Sequence, residues 1–390
     1  MRIGVDAGSF ANARGYGRFL RELLPHLLAA GMEDEFLLFI ERQNAASVQG
    51  LAPNARVVTV DLDKAPTEAA RADGSRSPGD MLRMTRAVKA ERPDVFFFPT
   101  VYTYFPMPRG QKTLVTIHDA IAERFPALTL PSLKARLFWN AKVWLARRQA
   151  SLILTVSDFS ARELAEVFGL GPARVRVSGE APGAAFSPSE PGAIRTTAAK
   201  YGVPDKARWL IYCGGFNPHK HVEAVVEAHA MVLETTSAPL YLLLVGTKDK
   251  DVFHGAQASI HAAIREAKSE SRVLWTGFVP DEDLRHLYAG AVALLLPSAL
   301  EGFGLPAVEA AACGTPVIAT KRSPLPELLS GGGNWVDPGD SVAMATTLEC
   351  WLADEEIRSA TGRNALARAR TMTWRGAAER TLAALREAAS

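Results

Sequence analysis

Residues 292–314 read VALLLPSALEGFGLPAVEAAACG, and TPVIAT follows from Thr315. The opening run, 292–296, is short and continuously apolar, so it predicts a buried strand. A short loop and a Gly-Phe-Gly turn come next, then Pro306. Proline suits the first turn of a helix, where a missing N–H leaves no bond unmade. Gly314 ends that helix, and 317–319 begins another strand. Strand, turn, helix and strand in this order make the unit of a parallel sheet. Ligands of such sheets bind beyond the carboxyl ends of the strands. The turn, the helix start and the two acids, Glu301 and Glu309, therefore fall where a ligand is expected.

The chemistry of that stretch points to an elongated, polar, anionic ligand. A helix N-terminus carries free amides and the positive end of the dipole, which favour phosphate. Gly302 and Gly304 let backbone amides approach without a Cβ in the way. Glu309 is expected about three residues into the helix, where its carboxylate can accept hydrogen bonds from a diol such as ribose. Glu301 stands across the turn and can reach a group beyond the phosphate. Diol, diphosphate and a second polyhydroxylated group describe a nucleotide-sugar. A plain structural strand–turn–helix, with Glu301 solvated in its loop, remains the alternative on these residues alone.

The same alternation runs outward along the chain. Strands are expected at 2–5, 36–40, 56–60, 95–98, 114–117, 152–156 and 175–177, with helical patterns between them, including 17–30 and 159–168. The segment 179–191, GEAPGAAFSPSEP, is rich in Pro, Gly and Ser and reads as a linker. Alternation then resumes at 209–213, 240–245, 273–276, 292–296, 317–319 and 335–336. Two α/β domains are expected, 1–186 and 192–373. The 390 residues fit that number, at roughly 100–200 residues per domain. Asp61 to Asp80 is polar, has no strand pattern and is expected to be a mobile loop.

Composition excludes several classes. A net charge of +2 from 44 basic and 42 acidic residues gives no support for nucleic-acid binding. Three cysteines, Cys213, Cys313 and Cys350, form no CxxC pair, so buried free thiols in a reducing cytoplasm are expected. The N-terminus has no signal-peptide pattern, and no apolar run approaches the ~18 residues that span a bilayer. No metal-ligand spacing is visible.

The stretch EGFGLPAVEAAACGTPVIAT from Glu301 resembles the signature of the retaining glycosyltransferases of family four, the glycosyl transferases group 1. Their shared pattern is a Glu, seven residues and a second Glu, with Gly-Phe-Gly-Leu-Pro between. GFVPDEDLRHLYAG from Gly277, SPLPELL from Ser323 and NWVDPGD from Asn334 match as well, so the resemblance covers most of the chain. It implies the GT-B fold: two Rossmann-like domains with parallel sheets facing across a cleft, and a C-terminal helix, 374–390, packing back on the first domain. Trp374 is then a packing residue.

The resemblance also assigns roles. His118, at a strand's end in TLVTIHDAI, would contact the donor sugar and stabilise charge at the anomeric centre; a local polar turn is the alternative, and is the preferred reading for Asp119. Lys220, in CGGFNPHKH, would neutralise the diphosphate. His219 stands where relatives carry Arg, and is expected to titrate near neutral pH. Gly215 stands where some relatives carry Arg. Gly15 and Gly17, in ARGYGRF, would lie near donor phosphates, although GxG alone is a weak signal. With Val279, Phe303 and Leu305, these positions complete the implied donor site: His118, Lys220 and Glu301 catalytic, and Gly15, Gly17, Gly215, Val279, Gly302, Phe303, Gly304, Leu305 and Glu309 donor-binding.

The implied reaction moves a hexose-type sugar from a GDP- or UDP-linked donor to an acceptor hydroxyl with retention and without metal or other cofactor. A nucleotide-sugar epimerase on the same plan, or an inactive nucleotide-sugar-binding subunit, are the alternatives. The acceptor would be a glycan or lipid-linked. SLKARLFWNAKVWLARRQA, from Ser132 to Ala150, carries five cations, no acid and three large aromatics. It marks a possible contact with the inner face of an anionic membrane, against a reading as ordinary packing with extended cation stems.

Overall fold

The computed structural model describes residues 1–12, 15–63, 77–130, 132–236, 239–246 and 256–390. The chain divides into two compact units, Met1–Glu180 with Thr373–Ser390, and Ala181–Met372.

Unit 1 is built on strands β1 (Arg2–Asp6), β2 (Glu35–Glu41), β3 (Ala55–Val60), β4 (Val95–Phe98), β5 (Thr113–Thr116), β6 (Leu152–Thr155) and β7 (Val175–Val177). They pair in parallel in the order β3-β2-β1-β4-β5-β6-β7. The strands are almost wholly apolar because helices cover both faces of a parallel sheet; Phe36, Phe39 and Phe96–Phe98 are all buried. Strand order reverses between β1 and β4, which opens a crevice at their carboxyl ends.

The helix Gly15–Ala30 buries Phe19, Leu20, Leu23, Leu24, Leu27 and Leu28. This apolar stripe repeats at three- and four-residue steps. The last helix, Trp374–Ala389, belongs to this unit despite its place in sequence. Thr373 caps it by accepting from Gly376 N at 3.1 Å. Arg380 donates to the Ser178 carbonyl at 2.7 Å, Arg386 pairs with Asp34 at 3.1 Å, and Trp374 packs edge-on against Phe19.

Unit 2 holds β8 (Arg208–Cys213), β9 (Leu240–Val245), β10 (Val273–Gly277), β11 (Leu294–Leu296), β12 (Val317–Thr320) and β13 (Gly333–Val336), in the order β10-β9-β8-β11-β12-β13, again all parallel. Here the order reverses between β8 and β11.

Three details differ from the sequence expectation. The units divide at Glu180, ahead of the 186–192 boundary, and no regular element runs from there until the helix Pro191–Lys200. Part of the expected 61–80 loop is a helix, Pro78–Glu91, whose Ser77 cap accepts from Asp80 N; residues 64–76 lie outside the described residues. The thiols are free, but only Cys313 is buried, and Cys350 is exposed.

Candidate active site

In unit 2 the residues singled out after β8 and β11 meet at the strand reversal. After β8 the chain turns through a short 3-10 helix, Pro218–Lys220. After β11 it runs through Ser298–Gly304 into the helix Leu305–Ala312. Ala299 N donates to the His219 carbonyl at 2.8 Å, which ties the two loops together. That tie brings Lys220 Nζ to 2.7 Å from Glu301 Oε1. Ser298 Oγ donates to the same oxygen at 2.5 Å and is fully buried. Both donors converge on Oε1, so the carboxylate is held in one orientation with Oε2 on the opposite side. Ser298 carried no sequence signal beyond its place directly after a strand.

The helix start is shaped by Gly304. It sits at φ +83°, in the left-handed region, and a Cβ there would come 2.9 Å from Leu325 Cδ1. Glycine therefore serves both the turn and the close packing of Leu325. Phe303 is buried, Leu305 is half-buried, and Pro306 occupies the first turn as expected. Glu309 is the fifth helical residue, about two residues deeper than the sequence suggested, and is 3% exposed. Its carboxylate lies close enough to Tyr288 and Cys313 to help raise both their pKa values; burial is the larger cause in each, and pushes Cys313 up to about 12.

His219 does not titrate near neutral pH as expected. It is buried beside Lys220 and His221; burial first, then those neighbours, push its pKa down to about 3. It is a neutral imidazole throughout the physiological range. The Gly215 carbonyl accepts a hydrogen bond from Tyr212 Oη at 2.5 Å. Val279 is buried just beyond β10, two strands from the reversal.

Unit 1 carries the remaining assigned residues. His118 follows β5. Its Nε2 lies 3.0 Å from the Pro99 carbonyl, which places a proton on that nitrogen, and its Nδ1 faces Glu180 at 3.7 Å. Glu180 was not foreseen, because 62 residues of sequence separate it from His118 in the chain and only the sheet unites them. Phe19 packs edge-on against the imidazole at 4.9 Å. Asp119 accepts from Ile121 N at 2.9 Å, a local turn contact. Gly15 opens the first helix, and a Cβ there would meet nothing within 4 Å among the described residues. Gly17 is different: a Cβ would come 2.1 Å from the Asn12 carbonyl oxygen, so this glycine is required by the helix lying against its own preceding loop.

Two family models match this arrangement, glycosyl transferases group 1 over residues 194–368 and glycosyltransferase family 4 over residues 13–178. The chain is similar to O-antigen chain mannosyltransferase B of Escherichia coli, with 30% identity over 276 residues, 70% of each protein. The chain belongs to the glycosyl transferases group 1. Among solved structures, sucrose-phosphate synthase from Thermosynechococcus elongatus matches with a TM-score of 0.76 at 21% identity, covering 99% of this chain and 98% of that one. The Anabaena HepE protein in complex with UDP-glucose matches with a TM-score of 0.71 at 20% identity, covering 99% of each. These likenesses establish the GT-B fold for this group 1 glycosyltransferase. It is an enzyme of the transferase class.

Proposed function

We propose that this glycosyltransferase moves a hexose-type sugar from a GDP- or UDP-linked donor to an acceptor hydroxyl with retention of anomeric configuration, in the synthesis of a cell-surface polysaccharide or glycolipid. The observation that carries the reading is the convergence of Lys220 and Ser298 on one oxygen of Glu301, at the strand reversal of unit 2 and beside a glycine-capped helix start. Such a site offers a fixed carboxylate for sugar hydroxyls, a cation and free amides for a diphosphate, and Glu309 for a ribose diol. That HepE is solved with UDP-glucose, and that the E. coli relative is a mannosyltransferase, supports a nucleotide-sugar donor.

In the proposed step the bond from the anomeric carbon to the diphosphate oxygen breaks. A bond to the acceptor oxygen forms on the same face, and the acceptor's proton passes to the leaving phosphate. Lys220 offsets the charge that develops there, so the reading requires no metal ion. His118 would help stabilise the positive charge at the anomeric carbon.

The test is a thermal-shift panel with UDP, GDP, ADP and their sugars, run in EDTA. A ligand at 100 times its Kd adds roughly 2.7 kcal/mol of stability. One nucleotide family should raise the melting temperature of the wild type, and Glu309→Ala should lose most of that rise. No shift with any nucleotide would sink the reading.

The helix Leu133–Gln149 supports an acceptor presented at an anionic membrane surface. It exposes Leu133 (77%), Leu137 (72%), Trp144 (56%) and Phe138 (40%), with Lys142 over the Phe138 ring and Arg148 over the Trp144 ring. Apolar side chains flanked by cations, with no acid on the helix, suit insertion among anionic headgroups. No described helix is long and apolar enough to cross a membrane. Vesicles containing phosphatidylglycerol should co-sediment the wild type, and Leu137→Glu with Trp144→Glu should abolish this. Equal sedimentation of both proteins would remove the membrane from the proposal.

A further inference from the structure

His118 is assigned to the positive charge at the anomeric carbon, yet both of its ring nitrogens are already engaged inside unit 1. Nε2 lies 3.0 Å from the Pro99 carbonyl, and Nδ1 lies 3.7 Å from Glu180 Oε1. A carbonyl oxygen only accepts, so Nε2 carries a proton. Phe19 closes on the ring edge-on at 4.9 Å, and Trp374 backs Phe19 at 6.0 Å. The side of the ring that Pro99 leaves is turned toward a carboxylate. A ring held in this way brings little negative charge of its own to a developing cation. The negative charge of the group belongs to Glu180.

Three adjacent strand ends hold that carboxylate in place. β5, β6 and β7 are consecutive in the sheet. His118 follows β5, and Thr155, which closes β6, donates through Oγ1 to the His118 carbonyl at 3.4 Å. Ser178 follows β7 and donates to the Thr155 carbonyl twice, from N at 2.8 Å and from Oγ at 3.1 Å. Arg380, on the last helix, donates to the Ser178 carbonyl at 2.7 Å. The backbone is therefore tied on both sides of β6 before Glu180 reaches past it to His118. Glu180 is 8% exposed. A buried carboxylate is costly unless it is partnered. Among the described residues, its ion-pair partner is the His118 ring.

We propose that Glu180 is the positioning residue of His118, fixing the ring and supplying from behind it the negative charge that attracts the cation at the anomeric centre. Coulombic attraction of this kind is strong where water is excluded, and it needs no contact between the carboxylate and the sugar. This role rests on the transfer reaction proposed above and on the place given there to His118.

The experiment uses protein labelled with nitrogen-15 histidine, as wild type, Glu180→Gln and Glu180→Asp, with His118→Asn to identify the His118 resonances. Glutamine keeps the shape and removes the charge. In Glu180→Gln the Nδ1 resonance should move, while Nε2, held by Pro99, keeps its position. The same proteins are assayed for nucleotide release from UDP-glucose and GDP-mannose, with water as acceptor. Glu180→Gln should lower kcat about tenfold and leave KM unchanged, and Glu180→Asp should recover part of the loss. Combining Glu180→Gln with His118→Asn should cost little more than His118→Asn alone, because the carboxylate acts through the ring.

An unmoved Nδ1 resonance overturns the proposal. So does an unchanged kcat, a loss shared between kcat and KM, or a double variant whose losses simply add. If Glu180→Gln does not fold, Glu180→Asp carries the same test: the shorter arm should still move Nδ1 and lower kcat without KM, and no movement overturns the proposal. Failure of the donor reading shows separately, as no turnover of either nucleotide-sugar by the wild type, and the Nδ1 resonance then decides alone.

Discussion

Lys220 and Glu301 hold each other at 2.7 Å in the site proposed to receive a diphosphate. On the proposed reaction the ammonium is shared between the carboxylate and the leaving group, which separates the expected effects of substituting each. Lys220→Ala removes charge stabilisation and should lower kcat on the order of 10²-fold. Glu301→Gln frees the ammonium, so binding of UDP or GDP should tighten while transfer falls. Calorimetric titration together with kcat distinguishes the two; equal weakening of nucleotide binding in both variants would contradict the sharing of Lys220. The residues on either side of this pair were unequally legible. Glu301 and Lys220 stand in recognisable motifs, whereas Ser298 stands in none, and Lys220 reaches Glu301 across two loops that Ala299 ties together at the His219 carbonyl.

Elements impose their own demands, and two glycines show them. Gly304 needs its positive φ, and its neighbour Leu325 is a side chain that can shift. Gly304→Ala should lower stability by about 1–2 kcal/mol. Gly17 has no such latitude, because its clash is with a backbone carbonyl that is part of the loop it lies against. Gly17→Ala should destabilise more, read as the larger drop in melting temperature; the reverse ranking would contradict the packing described. The sequence showed neither packing requirement, since a Gly in a turn carries no sign of what its missing Cβ would strike. Glu309 was similarly placed about two residues too shallow, because Pro306 marks the first turn without fixing which residue begins it.

At the scale of the molecule, buried ionisable groups set a pH dependence. Burial is the main cause that lifts Glu123 to about 7; Asp119 adds to it, and the Trp139 N–H and Arg147 oppose it. Its folded value lies above the unfolded one, so the folded state binds the extra proton and stability falls as pH rises from about 4.5 to 7. The loss is at most roughly 3 kcal/mol. His219, at about 3, and His229, at about 4, act in the opposite sense, their neutral forms being favoured by burial. Their contribution is complete above pH 6.5 and is lost on acidification. Melting curves of wild type and Glu123→Gln should therefore diverge between pH 4.5 and 7, with the variant gaining as pH rises. A constant difference would show that Glu123 ionises normally.

The sequence by itself determined the strands, their alternation with helices, the parallel class of both sheets and the two acids of the Glu301–Glu309 motif. These follow from local periodicity and from turn residues whose backbone preferences act over a few positions. The tertiary structure decided which strands became neighbours, and so where each order reverses. That choice placed Lys220 on Glu301, Glu180 opposite His118 and Tyr16 over Tyr102. Sheet order is a matter of packing between segments distant in the chain, and no local pattern encodes which ends will meet.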